Sequence, residues 1–312
     1  MMTTTVGFDS NNVQSSAERL RTERLRLAPD EPGLVPHGRG WGEARQEMAE
    51  LCDTPTVTIG DVLTKLTRAQ GIMDLLPPPA ANRVAAFNSL YYTITDRVAR
   101  ALGGPQVADP AFLELLDVEF AKRYFDALRL WGEEDHTTPD AWEVLFRRAQ
   151  DQRVSRLAAA MLGVNAHINH DLALALVATW DQLGVTPEER MHPDYKLVNK
   201  IFYQEIPLLR RRYSSRWQLR IDGLTGDLDD WSQNILVAAT RAHAWDQGRR
   251  LWELRSVDED YAKALLMMDR ASAYVGELLI TSDGMVNRLG DILLLSRNRV
   301  RRVLTRRRAR GH

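Results

Sequence analysis

Seven consecutive residues, Asn165-Ala166-His167-Ile168-Asn169-His170-Asp171, place five polar side chains inside an otherwise strongly apolar stretch from Leu157 to Trp180. In a buried helix each unpaired polar group costs roughly 1–3 kcal/mol, so these five must find partners or serve a purpose. At about 100° per residue, Met161, Val164, Ile168, Leu172 and Ala175 form the apolar stripe. Asn165 and Asn169 flank that stripe as an i,i+4 pair, His167 and Asp171 flank its other side at the same spacing, and His170 points away. Two chemistries follow. In one, His167, Asp171 and His170 on neighbouring turns supply ligands to a divalent metal, as helical histidine pairs do for zinc. In the other, Asp171 orients His167, which acts as general acid or base beside Asn165 and Asn169. The structural alternative uses the same residues as a network: the asparagines cap neighbouring helix ends and the His167–Asp171 pair bridges helices.

Other residues suit a ligand. Arg241 and Trp245 are i,i+4 on one helix face with Asn234 and Ala238, where the guanidinium could meet an anion while stacking on the indole. An arginine stem lying beside a core tryptophan explains the same spacing. Asn199 follows Tyr195 by four, and Tyr124 shares an apolar helix with Asp117 and Glu119, carboxylates that could join a metal site or pair with Arg123. Arg241, Trp245, Asn199 and Tyr124 are therefore the candidate substrate contacts. No glycine-rich phosphate loop, dinucleotide fingerprint, G-x-S-x-G turn or H-E-x-x-H helix occurs, so no nucleotide cofactor is indicated.

The elements that must position these groups read as helices throughout. Thr58 and Asp61 form a capping box ahead of Val62, Leu66 and Ala69, and Pro77-Pro78-Pro79 ends that helix. A helix from about Asn82 to Leu102 stops at Gly103-Gly104; Asp109-Pro110 starts another that runs to Gly132. Thr138-Pro139 repeats the start signal, a long helix spans about Arg153 to Leu183, and Thr186-Pro187 opens a short helical turn. Asp194 begins a helix with a kink at Pro207; beyond it, helices are expected over Asp229–Arg255, Val257–Ile280 and Gly284–Arg308. β-Branched alternation is scarce. The expected fold is all-α, a single bundle-like domain of nine or ten helices over 39–295, between a flexible tail at 1–38 and an arginine-rich end at 296–312.

The stretch Gly163-Val164-Asn165-Ala166-His167-Ile168-Asn169-His170-Asp171-Leu172 resembles the signature of an uncharacterised, mainly actinobacterial domain-of-unknown-function family. Phe120-Ala121-Lys122-Arg123-Tyr124, Pro139-Asp140-Ala141-Trp142 and Arg241-Ala242-His243-Ala244-Trp245 fit the same pattern, and the resemblance covers about residues 60–280. It implies no activity. Arginine replaces the second histidine in some forms of that signature, so the resemblance favours His167 and Asp171 over His170 as the working pair.

Composition narrows the setting. The 312 residues include one cysteine, Cys52, so neither an internal disulfide nor a thiolate cluster can form. No signal-like leader and no uninterrupted apolar run of membrane-spanning length is present, which makes a cytoplasmic location the expectation. The net charge of −1 conceals a split: eight arginines lie from Arg297 to Arg310, leaving 33 basic against 42 acidic residues elsewhere. That end could meet a polyanion or a protein partner, although it carries no aromatic residue for base stacking. The preferred reading is an enzyme on a small molecule, by metal-assisted or histidine-mediated hydrolysis or elimination. The alternative is a non-catalytic helical scaffold or binding protein.

Overall fold

A computed structural model describes residues 44–75, 83–133, 135–151, 153–188, 191–213 and 240–281. Every regular element among them is helical, and no strand occurs among the described residues. The helices are α1 (Arg45–Asp53), α2 (Ile59–Leu75), α3 (Val84–Leu102), α4 (Pro110–Gly132), α5 (Asp140–Phe146), α6 (Arg156–Ala166), α7 (Leu172–Leu183), α8 (Pro193–Tyr213), α9 (240–254) and α10 (258–281). The expected tail at 1–38, the helix over 284–308 and the arginine-rich end lie outside the described residues.

Local signals fix most helix starts. Thr58 and Asp61 cap α2 reciprocally: the Thr58 amide donates to Asp61 Oδ2 at 2.8 Å and the Asp61 amide donates to Thr58 Oγ1 at 3.2 Å. Asp109 accepts from the Phe112 amide at 3.0 Å, with Pro110 in the first turn of α4. Ser155, rather than the region of Arg153, opens α6 by accepting from the Ala158 amide at 3.0 Å. Arg153 instead folds back on Asp151, and so belongs to the preceding turn. Gly184, at φ 64°, ends α7 in the left-handed conformation that glycine adopts without strain.

α8 spans Pro207, the expected position of the kink, and runs on to Tyr213. Two expectations change. Residues 185–188 are not helical, so Thr186-Pro187 starts no turn of helix. Thr138 does not cap α5, because its hydroxyl donates to the Asp135 carbonyl. The cap comes from α10, where the Asp269 carboxylate accepts from the amides of Asp140 (2.9 Å) and Ala141 (2.8 Å).

Helix α3 lies between α2 and α6, while α4 packs on α1 and α7. Trp131, Trp142, Tyr124, Tyr195, Phe125 and Phe146 are the largest fully buried side chains. Ring contacts set the direction of the central pair: Phe87 meets Tyr124 at 5.1 Å, and Tyr91, one turn on, meets Phe120 at 6.0 Å, one turn back. α3 and α4 are therefore antiparallel. Gly163 permits the third wall, since a Cβ there would lie 2.2 Å from the Phe87 ring.

Candidate functional site

The long helix expected through residues 153–183 is interrupted where its polar residues cluster. His167–Asp171 form a π turn between α6 and α7, closed by the Leu172 amide donating to the His167 carbonyl, an i to i+5 bond. A π turn inserts one residue into the helical register, and such turns are frequent at functional sites. Its consequence here is geometric. His170, expected to point away from the apolar stripe, is buried with His167 and Asp171. Asn165 is buried as expected, whereas Asn169 is only half-buried.

Asp171, 1% exposed, is the hub. Its Oδ2 is 2.9 Å from His167 Nδ1 and accepts from the Trp142 indole N–H at 3.0 Å; its Oδ1 is 2.8 Å from His170 Nδ1. Burial opposes charge on this carboxyl, but the hydrogen bonds from both histidines outweigh it and hold its pKa below the usual carboxylate range. Asp171 is therefore an anion, and it assigns the proton of each neutral imidazole to Nδ1.

The two histidines then diverge in environment. Burial lowers the pKa of His167, Asp171 opposes that shift, and the positive charge of Arg241 reinforces it, so the ring is neutral. Its plane lies on Phe120, with centroids 3.4 Å apart, while Tyr91 meets it edge-on at 4.6 Å. Its Nε2 is buried and has no hydrogen-bond partner among the described residues. For His170, burial again disfavours charge, but Asp171 and Asp269 prevail and raise its pKa; its Nε2 is 3.9 Å from Asp269 Oδ1. The asparagines extend this side: Asn169 donates to Asn165 Oδ1 at 2.9 Å, and Asn165 donates to the Ser272 carbonyl of α10 at 2.8 Å.

His167 forms part of the wall of a cavity with about 610 Å³ of atom-free space, its mouth included. α3, α4, α6, the π turn, α7 and α8 supply mainly aliphatic and aromatic groups to the wall, and Arg241 enters from the start of α9. Among the described residues Asp117 of α4 is the carboxyl in the wall, and its enclosed Oδ2 has no hydrogen-bond partner. Burial pushes its pKa up to about 7, with the Glu114 carboxylate adding to the shift.

Of the expected substrate contacts, Arg241 lies in the cavity wall and Asn199 stands behind it, accepting from Arg241 Nε. The expected Arg241–Trp245 stack is replaced by Arg241 over the Tyr195 ring at 4.5 Å, because Trp245 packs between Trp180 and Tyr195. Tyr124 contributes its hydroxyl to Asn88 at 3.3 Å, away from the described cavity wall. Among the described residues no group of three or more His, Cys, Asp or Glu side chains is placed to hold a metal ion. His167, His170 and Asp171 are instead bonded to one another.

Asp269 and Trp142, both partners of the centre, were not singled out as site residues from the sequence. Asp269 is separated from His170 by 99 positions and carries no local motif. Trp142 did carry a signal, since it lies in one of the segments of the resemblance.

The model of a family of unknown function, DUF5995, matches residues 59–282, and the chain belongs to that family. No curated protein and no solved structure matches the chain.

Proposed function

We propose that the cavity is the reaction site of an enzyme acting on a small, largely apolar molecule by paired proton transfer. The observation that carries this reading is the buried Nε2 of His167 in the cavity wall, without a hydrogen-bond partner among the described residues while Nδ1 is fixed on Asp171. A buried ring nitrogen left without a partner costs about 1–3 kcal/mol, which a substrate proton can offset. Asp117 is the natural second group, placed on α4 one turn from the Phe120 ring that carries His167. Their environments move the two groups in opposite senses: the imidazole is kept free to accept a proton, and the carboxyl is kept able to give one near neutral pH.

Elimination of water from a β-hydroxy acid uses this pair fully. His167 Nε2 takes the proton from the carbon beside the carboxyl, that C–H electron pair becomes the carbon–carbon double bond, and the C–O bond breaks. Asp117 protonates the leaving hydroxyl, so water departs. Arg241 offsets the negative charge that builds on the carboxyl oxygens. Proton exchange with solvent restores both groups, and no oxidant or reductant is needed. Hydrolysis would also require a positioned water.

The test is turnover of a panel of β-hydroxy acids, followed by the ultraviolet absorbance of the conjugated product. Turnover that disappears in His167→Gln and Asp117→Asn, with folding retained, is the expected result. Ligand binding in the cavity without turnover would instead support a non-catalytic binding protein. The flat stacking of His167 on Phe120 favours that second reading, because it makes the ring part of the packed core.

A further inference from the structure

The antiparallel pair α3 and α4 measures the cavity from His167 outward. His167 contacts Tyr91 and Phe120, which mark one end. From there Val98 lies seven residues on along α3 and Leu113 seven residues back along α4, both in the wall. Seven residues rise about 10 Å, so the two helices bring Val98 and Leu113 to the same level. Ile94, between Tyr91 and Val98, and Val198 and Phe202 from α8 also enter the wall.

We infer that this cavity takes an amphiphilic carboxylate with a medium-length alkyl tail, its carboxylate against Arg241 and its tail among the aliphatic side chains that α3, α4 and α8 supply to the wall. The inference rests on the reading of the cavity as a reaction site and names the substrate class for it. Three features select this class. Among the described residues of the wall, Arg241 is the cationic side chain. Val98, Leu113 and Ile94 offer aliphatic groups, so among the described residues there a second charged group would lose its hydration without a partner. Asp117, between the ends, leaves Oδ2 open to a hydroxyl donor on the chain. Once ionised it repels a further anion.

Calorimetric titration of the full chain with hexanoate, octanoate, decanoate, decanol and decanedioate, below micelle concentrations, tests this. Each buried methylene should strengthen binding about fourfold, so affinity should climb roughly tenfold or more for every two carbons up to the cavity's length. Decanol should bind at least about tenfold more weakly than decanoate, and Arg241→Gln should remove that gap. Ile94→Trp, which fills the tail space, should abolish decanoate binding without changing the helical circular dichroism.

Affinity independent of chain length, equal binding of decanol and decanoate, or equal binding of the diacid would overturn the inference. Decanoate binding with no turnover of any β-hydroxy acid would remove the proposed reaction and leave the ligand class standing. Turnover of short hydroxy acids with no gain from a tail would do the reverse.

Discussion

Asp171 holds two histidines on one π turn, and the regions beyond them differ in how completely their polar groups are paired. Towards α10, His170 approaches Asp269, Asp269 caps α5, and Asn169 and Asn165 pass a hydrogen bond to the Ser272 carbonyl. Towards the cavity, His167 Nε2 and Asp117 Oδ2 are buried and have no partner among the described residues. Buried polar groups in folded proteins are nearly all paired, so one region reads as a latch between helices and the other as a place kept open for a ligand. A carboxylate shared between them couples the two: the bonds that close the latch also fix the cavity imidazole.

Removing the shared charge tests that coupling and should have the largest effect. Asp171→Asn takes the anion from between two histidines and the Trp142 N–H, and a hydrogen bond to a charged group contributes about 1.5–3 kcal/mol, so the loss should exceed that of any single bond. Chemical denaturation should show that loss, and turnover should fall with it. A variant of unchanged stability would mean that the two regions are independent. Gly163→Ala strikes only the cavity side: the added methyl would sit 2.2 Å from Phe87, displacing the ring that borders His167. A loss of about 1–3 kcal/mol is expected from such overpacking. Asp269→Ala strikes only the latch, exposing two amides of α5 for about 0.5–2 kcal/mol, the ordinary cost of a lost cap. If the contrast holds, it leaves ligand binding in the cavity intact.

The two regions were also unequally legible in the sequence. The all-helical fold followed from capping residues and apolar spacing, which act over three or four positions, as at Thr58–Asp61 and Asp109–Pro110. The pairing of His167 with Asp171 was visible for the same reason. The inward turn of His170 was not, because a π turn leaves no mark on periodicity read at 3.6 residues per turn. Asp269 could not be found, since the α5 amides it caps lie 129 and 128 positions away. Asp117 was visible as a carboxylate in an apolar helix, but what distinguishes it is the cavity before it, and that arises only when seven elements assemble.

The smallest effect should be the most specific, because the two histidines contribute to stability with opposite dependence on pH. His167 has a folded pKa below its ordinary 6.5, so as pH falls below that value the unfolded chain takes up a proton that the folded chain refuses. Its contribution is therefore lost on the acid side, and stability rises with pH in that window. His170 has a folded pKa above 6.5, so its stabilisation is fully present below that value and is lost as pH rises through the folded pKa. Asp171, held below the usual carboxylate range, loses its contribution only as pH falls through that depressed value, outside this window. Stability measured from pH 5 to 8 should accordingly change in opposite senses in the two variants. Relative to the parent chain, His167→Gln should gain stability as pH falls below 6.5, and His170→Gln should recover stability as pH rises above it. Each slope is bounded by about 1.4 kcal/mol per pH unit for one proton. Parallel curves for the two variants would show that both imidazoles serve the same latch, and the distinction between the closed and the open side of Asp171 would fall.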